Sequence, residues 1–400
     1  MFRPSMVRDY DYYRRALEGH PLPLAFVDLD AFDQNARDIA RRAQGRRIRT
    51  ASKSLRSVAL IKRVLAADPT YQGILCFSPD EAVSLSEQGL NDLVVAYPTS
   101  QARSIASVCK QLAQGKLITL MVDCTQHVEQ ANRIATQSHV VLPLCMDVDM
   151  STRFPGLHFG VYRSPLASPD DALRLFEQIE SCDHVRLDGL MGYEAQIAGV
   201  GDRLPGKPLK NALIRKLKCL SIPRVRKRRG AVVAALEKAG ARLRFVNGGG
   251  TGSVETTIRE PSITEVAVGS GLYCSHLFDY YSGFGHLPAA GFALEVTRRP
   301  KQHVYTCAGG GYIASGAAGP EKLPIPYLPK GVCLIKNEGA GEVQTPVLYR
   351  GEDLHLGSPV FFRHGKAGEL CERFTHLLLV SDGRVVDRVT TYRGDGRCFF

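Results

Sequence analysis

Over the first 270 residues, short apolar runs alternate with stretches whose apolar positions recur at helical spacing. The run "RRIRTAS" leads into a helix predicted over 54–66, and "GILCFS" leads into "SPDEAVSLSEQG". There Ser78 is placed to cap, Pro79 suits the first helical position and Glu81 completes a capping box. "DLVVAYP" precedes a helix over 100–114, "ITLMVDC" one over 125–137, and "LPLCMDVDM" a long loop and a helix over 169–181. "RLDGLMGY" precedes a basic segment and a helix over 224–239, closed by Gly240. "LRFVNGGG" precedes a short helix near 252–258, and "ITEVAVG" is the eighth strand. Eight strand-then-helix units predict a (β/α)8 barrel. "PLAFVDLDAF", at 23–32, comes before all eight and is free to serve another domain. From about residue 290 the pattern changes to "FALEVTRR", "HVYTCAGG", "GVCLIK", "TPVLYR", "PVFFRH", "THLLLV" and "RVVDRVTTYR" with turn residues between them. That alternation predicts a mostly antiparallel β domain.

Bulk properties agree with two soluble units. A chain of 400 residues exceeds what one core usually holds. Its 44% hydrophobic and 23% charged residues are ordinary for a globular protein. No apolar run approaches the roughly 18 residues of a membrane span, and "MFRPSMVRDYDYYRRALEG" lacks the apolar core of a signal peptide. The eleven cysteines are scattered and never in CxxC spacing, and Cys76, Cys124 and Cys145 lie in apolar runs. Free thiols in a reducing cytoplasm are the expectation. The net charge of +11 is local: residues 203–229 hold eleven Lys/Arg and no acid, leaving 40 bases against 40 acids elsewhere. A diffuse nucleic-acid surface is therefore disfavoured. A solvated loop and helix face remains open, as does a patch that overhangs the site and steers an acidic ligand.

Candidate chemistry starts at Lys53, at the end of the first barrel strand. Catalytic groups of such barrels sit at the C-terminal strand ends, and a lysine there can form a Schiff base. The second element is "NGGGTGS", 247–253, directly after the seventh strand. Adjacent glycines let backbone amides approach an anion, and the following short helix aims its N-terminus the same way. It is no Walker loop, because no Gly-Lys-Ser/Thr follows. A strand-end lysine with a phosphate cup across the mouth points to pyridoxal 5′-phosphate.

The order of motifs resembles the D-threonine aldolase and D-serine dehydratase family, within the alanine racemase-like fold type. "PLAFVDLDAFDQNARDI" is similar to its leading segment, and "RTASKS" stands where the family has Arg-Pro-His-x-Lys-Thr. "DVDMSTR", "GLMGYEAQ", "NGGGTGS" and "EVAVGSGLYCSHLFDYY" follow in the family's order. The resemblance implies an α/β fold: a leading segment over 1–32 with a strand joining the β domain, a cofactor-binding barrel over 33–275 and a β domain over 276–400. It implies Lys53 as the cofactor lysine, Arg153 beside the pyridine nitrogen, Tyr193 near the cofactor, and Gly248, Gly249, Gly250, Thr251 and Gly252 around the phosphate. It also implies a cytoplasmic homodimer with a small amino acid substrate, and neither nucleic acid nor membrane. Family members place a divalent metal near the substrate hydroxyl through a His-x-Cys or His-x-Asp pair. In "FFRHGKAGELCERF" His364 fits the histidine, but Lys366 takes the second position, and a protonated lysine cannot ligate. Three readings stay open: Glu369, Cys371 or His376 supplies the ligand, Lys366 replaces the metal as an electrophile, or the segment has lost that role. His364 is expected to serve as acid or base in each.

The activity implied is a lyase on a β-hydroxy-α-amino acid, cleaving it to glycine and an aldehyde. Alternatives are a deaminase giving a 2-oxo acid and ammonia, a racemase, and a non-enzymatic cofactor carrier. Tyr312, in "CAGGGYIASGAAGP", is read as structural, with a role at a partner's site as the alternative.

Overall fold

The protein is described here by a computed structural model covering residues 8–317 and 319–399. Strands β1 (Leu24–Asp28), β2 (Arg47–Ala51), β3 (Tyr71–Cys76), β4 (Leu93–Val95), β5 (Ile118–Val122) and β6 (Leu142–Asp147) are followed by a small hairpin, β7 (Thr152–Phe154) and β8 (Leu157–Phe159). Next come β9 (Val185–Gly192), β10 (Phe245–Gly248) and β11 (Glu265–Val268). The helices of this half are α1 (Tyr10–Ala16), α2 (Leu29–Ala43), α3 (Val58–Ala67), α4 (Pro79–Glu87), α5 (Ala102–Ala113), α6 (Thr125–Gln137), α7 (Pro169–Glu180), α8 (Ala195–Ala198), α9 (Pro208–Lys238), α10 (Val254–Thr257) and α11 (Ser270–Tyr273).

Eight parallel strands close in the order β10-β11-β2-β3-β4-β5-β6-β9, the barrel the sequence predicts. Its interior is filled by Val94, Ala96, Met121, Cys145, Met191 and Phe245. Gly189 is needed there, because a Cβ on it would stand 2.3 Å from the Phe245 ring. The N-terminal end is plugged by charge. Fully buried Arg49 pairs with Glu265 at 2.6 Å and reaches Asp92, and Arg244 joins Asp92 and Asp188. Each buried charge there has a partner, which is the condition for burying it at all. The C-terminal end is left for chemistry.

The second unit is a nine-stranded sheet, β15-β16-β13-β12-β1-β18-β19, with β17 on β12 and β14 on β17. Its strands are β12 (Ala290–Lys301), β13 (Val304–Ala308), β14 (Ile325–Leu328), β15 (Cys333–Leu334), β16 (Gln344–Leu348), β17 (Pro359–Arg363), β18 (His376–Ser381) and β19 (Arg384–Thr390). The surplus leading strand β1 lies inside this sheet, antiparallel to β12 and parallel to β18.

Three elements depart from the sequence reading. The hairpin β7–β8 occupies part of the expected long loop, turning at Pro155-Gly156 with Gly156 at φ +68°, the arrangement of a type II turn. Strand β14 was hidden by the prolines of "LPIPYLP"; it pairs only with β17, and an edge tolerates missing donors. The basic segment is one helix with the stretch after it, α9, which runs through Pro223. None of its basic residues lines the cavity at the C-terminal end of the barrel. Arg228 donates to the Asp149 and Ser151 carbonyls, and Arg224 donates to that of Arg153.

Candidate active site

At the end of β2 the chain makes a short 3₁₀ turn, Ser52–Ser54, and then takes a left-handed conformation at Arg56, φ +48°. The turn is fastened on all sides. Ser52 donates to the Leu75 carbonyl at 3.0 Å, Ser54 and Ser270 share a hydrogen bond of 3.0 Å, and Tyr273 donates to the Leu55 carbonyl at 2.8 Å. The second domain reaches it as well: Ser57 donates to the Thr390 carbonyl, and the Tyr392 N–H donates to that of Arg56, each at 2.8 Å. Lys53 thus leaves a rigid base, and its ammonium donates to the Tyr97 hydroxyl at 3.1 Å.

Lys53 opens into a cavity of about 390 Å³ at the C-terminal end of the barrel. Around it stand Phe77 and Tyr97, after β3 and β4, then Arg163, Tyr193 after β9, Gly249–Thr251 after β10, and Gly269 and Ser270 after β11. The glycine run makes a cradle that side chains would fill. Gly249 has φ +82°, a Cβ on Gly250 would lie 3.0 Å from that of Ala198, and one on Gly252 would lie 2.3 Å from the Ala198 carbonyl. Gly248 packs behind, against Arg229.

Two ionic networks fix the cradle. Arg229, fully buried, pairs with Glu194 at 2.6 Å and with Glu260, and donates to the Gly192 carbonyl. Glu194 in turn accepts from the Gly249 N–H at 3.1 Å, from the Ser253 hydroxyl at 2.9 Å and from Thr257. From outside, Arg42 of α2 donates to the Thr251 carbonyl at 2.7 Å and holds Glu255.

The arginine in the mouth is Arg163. Arg153, expected beside the ring nitrogen, is exposed on β7, where the hairpin turns it away, and does not line the cavity. Arg163 is clamped by Asp147 at 2.6 Å and by the Ala96 carbonyl at 2.7 Å, with the Tyr97 and Tyr193 rings 5.0 and 5.8 Å away. Burial pushes the Asp147 carboxyl up to about 6 against the pull of Arg163. Tyr193 does line the cavity, and burial, with Glu194 beside it, pushes its phenol to about 12. It is a neutral wall and donor.

At the far side, Lys366 and Lys322 also line the cavity. Lys366 is tethered through Nζ to the Ser315 hydroxyl at 3.1 Å. His364 lines an adjoining cavity that Lys53 and Lys366 also line. It does not line the cavity that holds the cradle, its Nε2 meets the Ala367 carbonyl at 2.7 Å, and its Nδ1 is sealed without a partner. Burial drives its pKa down to about 3, so the near-neutral acid or base expected of His364 is not what the fold builds. The proposed replacement ligands are also engaged: Cys371 is buried on the Leu55 carbonyl, Glu369 accepts from the Ser315 N–H, and His376 bonds Thr375. Among the described residues one group of three closely placed metal-capable side chains exists, Asp123, Cys124 and His127 after β5, away from the cavity lining. The His364 region does not fit a divalent metal. The mouth does fit a phosphate-bearing aldehyde cofactor, with Lys53 to attach it and the cradle to receive its phosphate.

Four contributors escaped the sequence reading. Tyr97 and Ser270 were within reach of it, since both follow barrel strands at the catalytic end. Arg163 lies on an irregular segment and Lys322 in a short 3₁₀ turn, Pro320–Lys322, neither with a periodic signal.

Known proteins share this fold. A D-threonine aldolase from Filomicrobium marinum superposes with a TM-score of 0.80 at 18% identity, covering 95% of this chain and 96% of that one. A D-threo-3-hydroxyaspartate dehydratase from Delftia sp. HT23 gives 0.76 at 18% identity, covering 94% and 98%. A dehydratase of that name is also solved as a cysteine-to-alanine mutant in a metal-free form. In sequence, a 3-hydroxy-D-aspartate aldolase of Paracoccus denitrificans is 22% identical over 233 residues, 58% of this chain and 54% of the relative. The profile of the alanine racemase N-terminal domain matches residues 27–276, the stretch that carries Lys53, Arg163 and the cradle. With more than half of its length matched there, the chain belongs to the alanine racemase N-terminal domain family.

Proposed function

We propose that the chain is a pyridoxal 5′-phosphate-dependent lyase that cleaves a β-hydroxy-α-amino acid between Cα and Cβ, giving glycine and an aldehyde. One observation carries this reading: Lys53 and the Gly249–Thr251 cradle share a cavity whose charged lining is Lys53, Arg163, Lys322 and Lys366, with no carboxylate among the described residues. Its volume suits a small-molecule site, and its charge suits a phosphate together with a substrate carboxylate. The names of the relatives, D-threonine and 3-hydroxy-D-aspartate enzymes, support a D-configured substrate. We take the working unit to be a cytoplasmic homodimer, which sedimentation would check.

The cofactor, when bound, supplies an electron sink next to Cα. Lys53 would hold it at the strand end, with the Gly249–Thr251 cradle for its phosphate. Tyr97 is a candidate proton acceptor beside Lys53: burial pushes its phenol up, but the Lys53 and Arg163 charges outweigh burial and hold it below its ordinary value. Arg163, a fixed cation, would disfavour a proton on a ring nitrogen placed beside it. A second reading, loss of water to give a 2-oxo acid and ammonia, is favoured by the sealing of His364, which leaves Lys53 as the evident base.

The test is reduction of the cofactor-loaded protein with borohydride, peptide mapping, and product analysis with D- and L-β-hydroxy amino acids. We expect the adduct on Lys53, its loss in Lys53→Ala, and glycine with aldehyde from one enantiomer. Ammonia with a 2-oxo acid would establish the second reading, and an adduct without turnover would leave a carrier.

A further inference from the structure

Resting on that lyase reading, we infer that Lys366, with Lys322 beside it, supplies the positive charge at the substrate's β-oxygen that a divalent metal would otherwise provide. A metal needs donors with lone pairs facing the substrate. Here the Nε2 of His364 is committed to the Ala367 carbonyl and Nδ1 has no accessible surface. The residue two positions on is a lysine that lines the cavity.

The lysine is positioned rather than free. Its Nζ rests on the Ser315 hydroxyl at 3.1 Å and near the Ser315 carbonyl at 3.4 Å. The Ser315 N–H is held by the Glu369 carboxylate at 3.1 Å, so the tether is itself anchored. Lys322 is kept beside it by backbone: its carbonyl accepts from the Ala314 N–H at 2.8 Å, and a Cβ on Gly365 would stand 3.1 Å from that carbonyl. Two lysines from separate segments of the second domain therefore line the cavity that also holds the glycine cradle assigned to phosphate.

In the cleavage, the β-hydroxyl proton passes to a base and its O–H electrons form the aldehyde C=O. The Cα–Cβ bond breaks, and its electron pair remains at Cα until a proton joins it to give glycine. Negative charge grows on the β-oxygen as its proton leaves, and a preorganised cation at that oxygen lowers the barrier.

The experiment uses the cofactor-loaded full chain. It measures bound metal, turnover before and after chelation, and the borohydride-sensitive absorbance in the same samples. We expect substoichiometric metal and turnover unchanged by chelator. Lys366→Ala should lose about 10²–10³-fold in kcat with KM and the absorbance retained, and Lys366→Arg should recover part of that loss. If chelation abolishes turnover and manganese or magnesium restores it while the absorbance persists, the inference is overturned and the lyase reading stands. A Lys366→Ala variant with raised KM and unchanged kcat would overturn it too, making Lys366 a substrate anchor. Loss of the absorbance from the wild-type protein itself would instead sink the lyase reading, and this inference with it.

Discussion

Arg163 holds its guanidinium still through Asp147 and the Ala96 carbonyl, whereas Arg153 points into solvent from the hairpin. A group that acts through its field must be fixed before the field is useful. Arg163→Gln should therefore shift the visible absorbance of the loaded protein and lower turnover about a hundredfold. Arg153→Gln should leave both as they are, and absorbance spectra with steady-state rates check the pair. This contrast also marks what a reader of residues can see. Lys53 was legible because its place at a strand end is a consequence of local pattern. Arg163 was not, because the nine residues between it and Arg153 are a short hairpin and irregular chain with no period. His364 was legible as a residue but not as chemistry, since burial decides its protonation and burial is a tertiary fact.

At the scale of elements, the start of α4 shows how a cap becomes a joint. Ser78 accepts from the Glu81 N–H at 3.2 Å as the capping pattern requires, but the Glu81 carboxylate bonds the Phe77 N–H at 2.7 Å and the Tyr392 hydroxyl at 2.8 Å. Burial raises Glu81 to about 7, against the pull of those donors. A carboxyl raised above its unfolded value near 4.5 stabilises the fold below that pH and loses the contribution as pH rises through about 7. The total is at most roughly 3 kcal/mol. Glu81→Gln should remove this slope, so its urea midpoint should gain on that of wild type between pH 5 and pH 8. Equal midpoint differences at the two pH values would contradict the assignment. The barrel strands were readable because each is a short apolar run before a helix. Strand β14 was not, because proline obscures a strand that only an edge can hold.

The whole molecule is joined where the chemistry is. A Cβ on Gly368 of the second domain would lie 2.7 Å from the Lys53 carbonyl, so the two domains touch backbone to backbone at the lysine turn. Gly368→Ala should cost roughly 1–3 kcal/mol and about a hundredfold in turnover by moving Lys53. Gly230→Ala, within α9 and with open space around it, should keep full turnover and gain about 0.5–1 kcal/mol. Melting temperatures and rates on the same preparations separate the two effects.

The placement of β1 has a consequence for how the protein is made. Residues 24–28 are synthesised long before their sheet neighbours, residues 290–293 and 378–380. For most of translation this apolar strand carries two unpaired edges, the condition under which nascent chains aggregate or recruit chaperones. The barrel can close while β1 waits, and the lysine turn acquires its clamp only once Thr390 and Tyr392 have been made. The lysine turn therefore waits on Thr390 and Tyr392, and a chain cut before them would yield a barrel whose lysine turn lacks that clamp.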